Sequence, residues 1–181
     1  MTVIAYRNGI MASDSCWTSQ GTQTVSMIKI KRLSSGSLLG FSGDNDARAI
    51  EAILDKIKDP RKLPSRDELA TSHVDFQGLL AFPRGGVYVI SSSKIDQSGW
   101  VDNEDDEAGV WPAATMAGYA AVGSGGDFAL AAMDAGASAK QAVEIACRRS
   151  IFCRLPVHTV ALHENKLVRR SEAAVDRRGR R

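Results

Sequence analysis

The chain has 181 residues, 44% of them apolar, which is enough to bury one substantial hydrophobic core in a single domain. Its 23 basic and 21 acidic residues give a formal charge of +2, which provides no chain-wide field for nucleic acid or a membrane surface. The three cysteines are scattered, unlike a secreted disulfide framework, and no apolar run approaches the roughly 20 residues of a membrane span. We therefore expect a cytoplasmic protein that binds neither nucleic acid nor membrane.

The first part of the chain predicts two β-hairpins. In the first, the apolar segments 2–6 and 9–14 meet at an Asn-Gly pair, which is typical of a type I′ turn. In the second, segment 27–31 alternates apolar and polar residues, and segment 37–41 returns after a Ser-Ser-Gly turn. The polar stretch between the two hairpins carries no comparable signal.

A helix, a further hairpin and an irregular segment follow. The apolar residues of 46–58 recur on one face, and Asp44 or Asn45 can cap this helix. The apolar segments 79–82 and 87–90 flank a Pro-Arg-Gly-Gly turn and predict a third hairpin. We expect only a partial helix at 65–76 and irregular structure in the acidic segment 93–113.

The remaining elements are a strand at 119–122, an alanine-rich helix ending near 135, a helix at 139–150, and a fourth hairpin of 157–162 with 166–170. Hairpins at both ends with helices between them exclude a doubly wound parallel sheet and predict an α+β domain. Four hairpins in two stacked sheets, with helices on the outer faces, would bury every apolar face. The domain is expected to span 1–170 and to leave 171–181 as a polar, basic tail.

The first two residues suggest a catalytic terminus. Removal of Met1 would make Thr2 the first residue, with a hydroxyl and an α-amine on the same residue. A hydroxyl is a weak nucleophile until a neighbouring group takes its proton, and an α-amine titrates at about 7.7 to 8.0, closer to neutrality than lysine. Thr2 could therefore carry a nucleophile and its base together, or it could simply begin a strand.

Asp14 and Lys29 could form a charged cluster with such a terminus. Asp14 follows an apolar strand, and Lys29 lies in the alternating segment 27–31. The Lys29 ammonium would lower the pKa of a hydroxyl beside it, and Asp14 would orient the lysine. The cluster requires Lys29 to point inward, whereas strand lysines mostly face solvent.

The glycine-rich segment 123–126 lies at a strand-to-helix junction. A dinucleotide fingerprint would need glycine where Phe128 stands, and a G-x-S-x-G elbow is absent because Ser124 directly follows Gly123. The segment therefore predicts either an anion site at a helix N-terminus or a tight turn capped by Ser124.

The cysteines and histidines give a weaker signal. Cys147, Cys153, His158 and His163 lack a C-x-x-C pair, and the two histidines flank a strand, so the spacing does not favour zinc. A thiol nucleophile at Cys16 or Cys147 would need a histidine partner that the sequence cannot place. We interpret the cysteines as buried and unreactive.

Taken together and in this order, five segments resemble the β-type subunits of the proteasome family, and most closely the bacterial HslV-like peptidases, which are N-terminal nucleophile hydrolases. The matching segments are 1–4, 8–15, 29–33, 40–44 and 121–126. The resemblance implies a four-layer αββα sandwich and a threonine-type peptidase. It also implies roles for five residues: Thr2 as nucleophile, Asp14 and Lys29 as its charged partners, Gly43 as backbone oxyanion donor, and Ser124 in a proton relay near the α-amine.

By the same resemblance we expect a homo-oligomeric ring, a polypeptide substrate, a separate ATPase that unfolds it, and no metal or organic cofactor. One segment departs from the family, which usually places an aspartate at the end of the last long helix. Here 146–150 has no carboxylate, and Arg149 or Ser150 in that place would alter the proton relay. Two alternatives therefore stay open, namely an inactive ring or binding protein with this fold and an amidohydrolase that acts on small molecules.

Overall fold

The computed structural model describes most of the chain as a set of short antiparallel strands with three helices. The described residues are 2–19, 22–25, 27–43, 48–63, 76–91, 109–112 and 118–163. The strands are β1 (Ile4–Arg7), β2 (Ile10–Ser13), β3 (Cys16–Ser19), β4 (Thr22–Val25), β5 (Ile30–Arg32), β6 (Leu38–Gly43), β7 (Phe76–Phe82), β8 (Gly86–Ser91), β9 (Gly109–Pro112), β10 (Tyr119–Val122) and β11 (His158–Ala161). The helices are α1 (Arg48–Asp55), α2 (Gly126–Asp134) and α3 (Ala139–Arg149), with a 3-10 turn at Pro60–Lys62.

Two antiparallel sheets form the centre of the fold. The first has the strand order β10-β1-β2-β11, and the second has the order β5-β6-β7-β8-β9. The turn between β1 and β2 has positive φ angles at Asn8 (51°) and Gly9 (78°), which confirms the predicted type I′ geometry. Strands β3 and β4 pair only with each other among the described strands.

The sheets pack face to face through the alternate residues of their strands. Ile4 and Met11 of the first sheet lie in one buried cluster with Leu38 and Leu79 of the second. A Cβ atom on Gly40 would lie 2.5 Å from Ile4 Cγ2 and 2.8 Å from Met11 Sδ, so glycine at this position lets the sheets approach closely.

The opposite faces of both sheets are covered by helices. Ala5 and Ala12 of the first sheet pack in a cluster with residues of α2 and α3. Leu39 and Leu80 of the second sheet pack with Leu54 of α1. Because successive strand residues point to opposite faces, a strand places some side chains between the two sheets and the others against the helices. The fold is therefore the expected α+β sandwich with αββα layers.

One expectation was wrong in detail, and one pair of strands was not predicted. The polar stretch between the first two predicted hairpins contains the hairpin of β3 and β4, and the segment expected to be irregular contains β9, which pairs with β8 at Ser91–Gly109 and Tyr88–Pro112. Pairing with a neighbouring strand overrides weak local preference, which is why sequence pattern misses such strands.

Several expectations lie outside the described residues. These are the helix cap at 44–45, most of the partial helix at 65–76, the second strand of the fourth hairpin at 166–170, and the tail at 171–181. None of the described helices is both long and apolar enough to cross a membrane.

Candidate active site

Thr2 lies just before β1 and is only 2% exposed. Its hydroxyl donates a hydrogen bond to Asp14 Oδ1 at 2.8 Å and accepts one from Lys29 Nζ. Its carbonyl oxygen accepts a hydrogen bond from the Gly125 amide at 3.2 Å. The hydroxyl therefore lies between a carboxylate and an ammonium, with the backbone of the same residue held by a second loop.

Asp14 directly follows β2 and is fully buried. Besides Thr2, its Oδ1 accepts hydrogen bonds from the Val3 amide at 3.0 Å and from Lys29 Nζ at 2.7 Å. Its Oδ2 accepts from the Cys16 amide at 3.0 Å and the Arg154 amide at 3.1 Å. Both carboxylate oxygens thus have several donors, which hold the side chain in one orientation.

Lys29 points inward and is 8% exposed. It lies one residue before β5 rather than within the strand, so the alternation that favoured an outward side chain does not apply to it. Its carbonyl accepts a hydrogen bond from the Phe41 amide at 2.9 Å, which fixes its backbone against β6. A buried ammonium beside a hydroxyl stabilises the negative charge that develops on that oxygen when it attacks a carbonyl.

The glycine-rich loop after β10 packs directly against Thr2. Gly123 has a φ of +91°, and a Cβ atom there would lie 2.4 Å from the Thr2 carbonyl oxygen and 2.8 Å from its Cγ2. Gly125 supplies the amide that binds this same carbonyl. Ser124 lies between the two glycines, is exposed, and forms no hydrogen bond through its hydroxyl with the described residues. The loop is thus a tight turn against Thr2, but the expected cap was wrong, because Gly125 rather than Ser124 is the N-cap of α2 and no side chain caps it. The relay role of Ser124 stays a prediction.

Gly43 is the last residue of β6 and pairs with Phe76 of β7. Phe41 lies two residues before Gly43 in β6, and its amide donates a hydrogen bond to the Lys29 carbonyl. Gly43 therefore lies at the end of the strand that is bonded to Lys29. Its role as an oxyanion donor stays a prediction.

The end of α3 carries no carboxylate, as the sequence indicated. Arg149 is exposed, whereas Ser150 is 8% exposed and is the residue that ends the helix, with its amide bonded to the Ala146 carbonyl. The Ser150 hydroxyl accepts a hydrogen bond from the Phe152 amide at 3.2 Å. The end of the helix therefore has a serine hydroxyl that is hydrogen-bonded within the loop that follows, in place of a carboxylate.

Two of the three thiols, those of Cys147 and Cys153, are poor nucleophiles in this structure. Burial raises the pKa of Cys147 to about 12 and the pKa of Cys153 to about 11. Cys16 and Cys153 are fully buried, whereas Cys147 is only partly buried, which corrects the expectation for that residue. Because the thiolate is the reactive form, these surroundings support the interpretation of unreactive cysteines. In the described part of the chain, His, Cys, Asp and Glu form no group of three that could hold a metal ion.

Sequence reasoning missed the backbone donors of the site, which are the amides of Val3, Cys16, Gly125 and Arg154. Every residue except proline has such an amide, so no residue type signals its use. The side chain of Gln77 was also missed, and its Oε1 accepts a hydrogen bond from the Gly123 amide at 3.0 Å.

No protein-family model matches the chain, and no curated protein sequence does either. Solved structures do match it. BPH from Thiobacillus denitrificans, in complex with epoxomicin, has a TM-score of 0.56 and 20% identity over 90% of this chain and 99% of that one. Eukaryotic HslV from Trypanosoma brucei has a TM-score of 0.56 and 19% identity over 88% of this chain and 98% of that one.

Anbu from Yersinia bercovieri, described as an ancestral beta-subunit, has a TM-score of 0.54 and 12% identity over 100% of this chain and 98% of that one. These identities are low, so the likeness concerns the fold. The layers, the strand pairing and these neighbours agree, and the chain has the αββα sandwich fold that BPH, HslV and Anbu share.

Proposed function

We propose that the protein is a threonine-type endopeptidase whose nucleophile is Thr2 after removal of Met1. The observation that carries this proposal is the Thr2 hydroxyl, which is buried between Asp14 Oδ1 at 2.8 Å and the ammonium of Lys29. A threonine with no catalytic role gains little from a buried ion pair at its hydroxyl, because burying two charges is costly.

The proposed reaction proceeds through an acyl-enzyme. Thr2 Oγ1 forms a bond to the peptide carbonyl carbon while its proton passes to the α-amine of the same residue, and the carbonyl electron pair moves onto oxygen. The amine then returns the proton to the leaving nitrogen as the C–N bond breaks, which leaves an ester on Thr2. Water then adds to the ester carbon as the same amine takes its proton, the bond from that carbon to Thr2 Oγ1 breaks, and the amine returns the proton to Oγ1 as the carboxylic acid leaves.

The charged partners have separate tasks in this scheme. The Lys29 ammonium stabilises the developing charge on Thr2 Oγ1, and the Gly43 amide does so for the carbonyl oxygen. Asp14 holds Lys29 and the start of β1 in place, because its two oxygens already accept hydrogen bonds from Val3 and the other donors of the site. Ser124 relays the proton near the amine. The scheme uses no metal or organic cofactor.

We further propose that the chain forms a homo-oligomeric ring in the cytoplasm and cleaves unfolded polypeptide delivered by a separate ATPase. The support is the fold shared with HslV of Trypanosoma brucei and with Anbu, whose description names it a beta-subunit. The BPH structure contains epoxomicin, and we expect this chain to bind the same compound at Thr2.

The test is hydrolysis of an unstructured protein and of a short peptide by the wild type, Thr2→Ala and Thr2→Ser. Thr2→Ala should lose at least about 1000-fold in kcat, and Thr2→Ser should keep measurable turnover, because serine retains the hydroxyl. Equal rates for Thr2→Ala and the wild type would refute the proposal. Assembly without any turnover would favour the inactive ring, and turnover of small amides alone would favour the amidohydrolase.

A further inference from the structure

One side chain joins the two sheets beside the candidate active site. Gln77 lies on β7 of the second sheet, and its Oε1 accepts a hydrogen bond at 3.0 Å from the amide of Gly123, which follows β10 of the first sheet. Gln77 is partly buried. Gly123 is partly buried as well, and leaving a partly buried amide without an acceptor costs free energy, so this bond favours the observed position of the Gly123 loop.

The Gly123 loop in turn fixes Thr2. A Cβ atom on Gly123 would lie 2.4 Å from the Thr2 carbonyl oxygen and 2.8 Å from its Cγ2, so the backbone of the loop and the threonine are in direct contact. Two residues later, the Gly125 amide binds the Thr2 carbonyl at 3.2 Å. The loop therefore restrains the backbone and the Cγ2 methyl of Thr2, and through them the position of its hydroxyl.

The backbone of Gln77 lies beside the end of β6, which forms the other half of the site. Gln77 pairs with Ser42 of β6, and the next residue along that strand, Gly43, pairs with Phe76. One residue thus connects the loop that holds the nucleophile to the end of the strand that carries the proposed oxyanion donor.

We propose that Gln77 is a positioning residue that sets the distance between Thr2 and the Gly43 amide. This inference rests on the proposed function, in which the carbonyl carbon must reach Thr2 Oγ1 while its oxygen reaches Gly43. Such alignment is demanding, since a misplacement of about 1 Å can cost about 100-fold in rate. Loss of the Gln77 acceptor should therefore lower kcat and leave KM nearly unchanged.

The variants separate the acceptor from the bulk of the side chain. Gln77→Leu keeps similar volume without an acceptor, Gln77→Asn keeps the amide on a shorter stem, and Gln77→Glu keeps an acceptor at the same reach. We expect the first two to lower kcat about 10-fold or more with KM within about twofold, and Gln77→Glu to stay within about threefold of the wild type.

Gln141 provides a matched control. Its Oε1 accepts a hydrogen bond from the Ser138 amide, also at 3.0 Å, but at the exposed start of α3. Gln141→Leu removes the same type of bond away from Thr2 and should leave kcat unchanged. If kcat fell as much in Gln141→Leu as in Gln77→Leu, the effect would come from a general loss of stability and the proposal would be overturned.

Amide hydrogen exchange, measured by NMR on the same proteins, gives a readout that does not require activity. Gln77→Leu should speed exchange at Gly123 and Gly125 by about 10-fold, while Gln141→Leu should not. If the wild type shows no peptidase activity, the proposed function fails, and exchange alone decides whether Gln77 positions the loop. Unchanged exchange at both glycines, or a Gln77→Glu protein as slow as Gln77→Leu, would overturn the positioning role.

Discussion

Lys29 Nζ lies 2.7 Å from Asp14 Oδ1 in an ion pair whose side chains are 3% and 0% exposed. The chain brings these groups together from opposite sheets, because Asp14 follows β2 of the first and Lys29 precedes β5 of the second. The pair is therefore both part of the site and a link between the two sheets. The hydroxyl of Thr2 contacts both partners.

The first prediction concerns the stability of this ion pair. Lys29→Met should lower the free energy of unfolding by about 3 to 5 kcal/mol, because it leaves the Asp14 carboxylate buried without its cation. Lys31→Met is the control, since Lys31 pairs with Glu51 at the surface, with side chains 46% and 41% exposed. That variant should cost less than about 1 kcal/mol. Urea denaturation measures both, and equal losses would contradict the buried character of the Lys29 pair.

The second prediction concerns Gly123. Gly123→Ala should lower both stability and activity, because it adds strain at a positive φ and forces a Cβ atom against the Thr2 backbone. Gly118→Ala shares the strain of a positive φ (70°) but meets nothing within 4 Å. A larger loss of kcat and of unfolding free energy in Gly123→Ala than in Gly118→Ala measures the effect of the contact with Thr2. Equal losses in the two variants would show that Gly123 does not constrain Thr2.

The third prediction concerns Ser124. Because its side chain is exposed, Ser124→Ala should change the free energy of unfolding by less than about 0.5 kcal/mol. If Ser124 relays the proton, kcat should nevertheless fall by about 100-fold. Steady-state kinetics and thermal unfolding on the same preparation test this, and an unchanged kcat would remove Ser124 from the mechanism.

The sequence predicted those parts of the site that depend on residue type and local pattern. The Asn8-Gly9 turn fixed the register of the first hairpin, and this register places Asp14 directly beyond β2 and next to Thr2. The inward direction of Lys29 could not be derived from its segment, because the residue precedes the strand and its orientation depends on packing against Asp14. Backbone amide donors and the β9 pairing depend on tertiary contacts that no local pattern records.

The fourth prediction concerns alkaline pH. Burial raises the pKa of Cys147 to about 12 and the pKa of Cys153 to about 11, whereas both thiols would ionise near 9.0 in the unfolded chain. Their contribution to stability is therefore complete below pH 9 and is lost as the pH rises from there through the folded values. The Cys147→Ala/Cys153→Ala double variant should show a smaller decline in unfolding free energy between pH 8.5 and 11. If the unfolding free energy of the double variant declined as steeply as that of the wild type, the raised pKa values of the two thiols would be contradicted.

In the proposed mechanism, removal of Met1 frees the α-amine of Thr2, and the Thr2 hydroxyl is the nucleophile. Intact-mass spectrometry of the purified protein, before and after reaction with a peptide vinyl sulfone, tests it most directly. We predict a mass without Met1 and a single adduct that fragmentation places on Thr2, with no adduct on Thr2→Ala. A retained Met1 in protein that still hydrolyses peptide, or an adduct on any residue other than Thr2, would contradict the account.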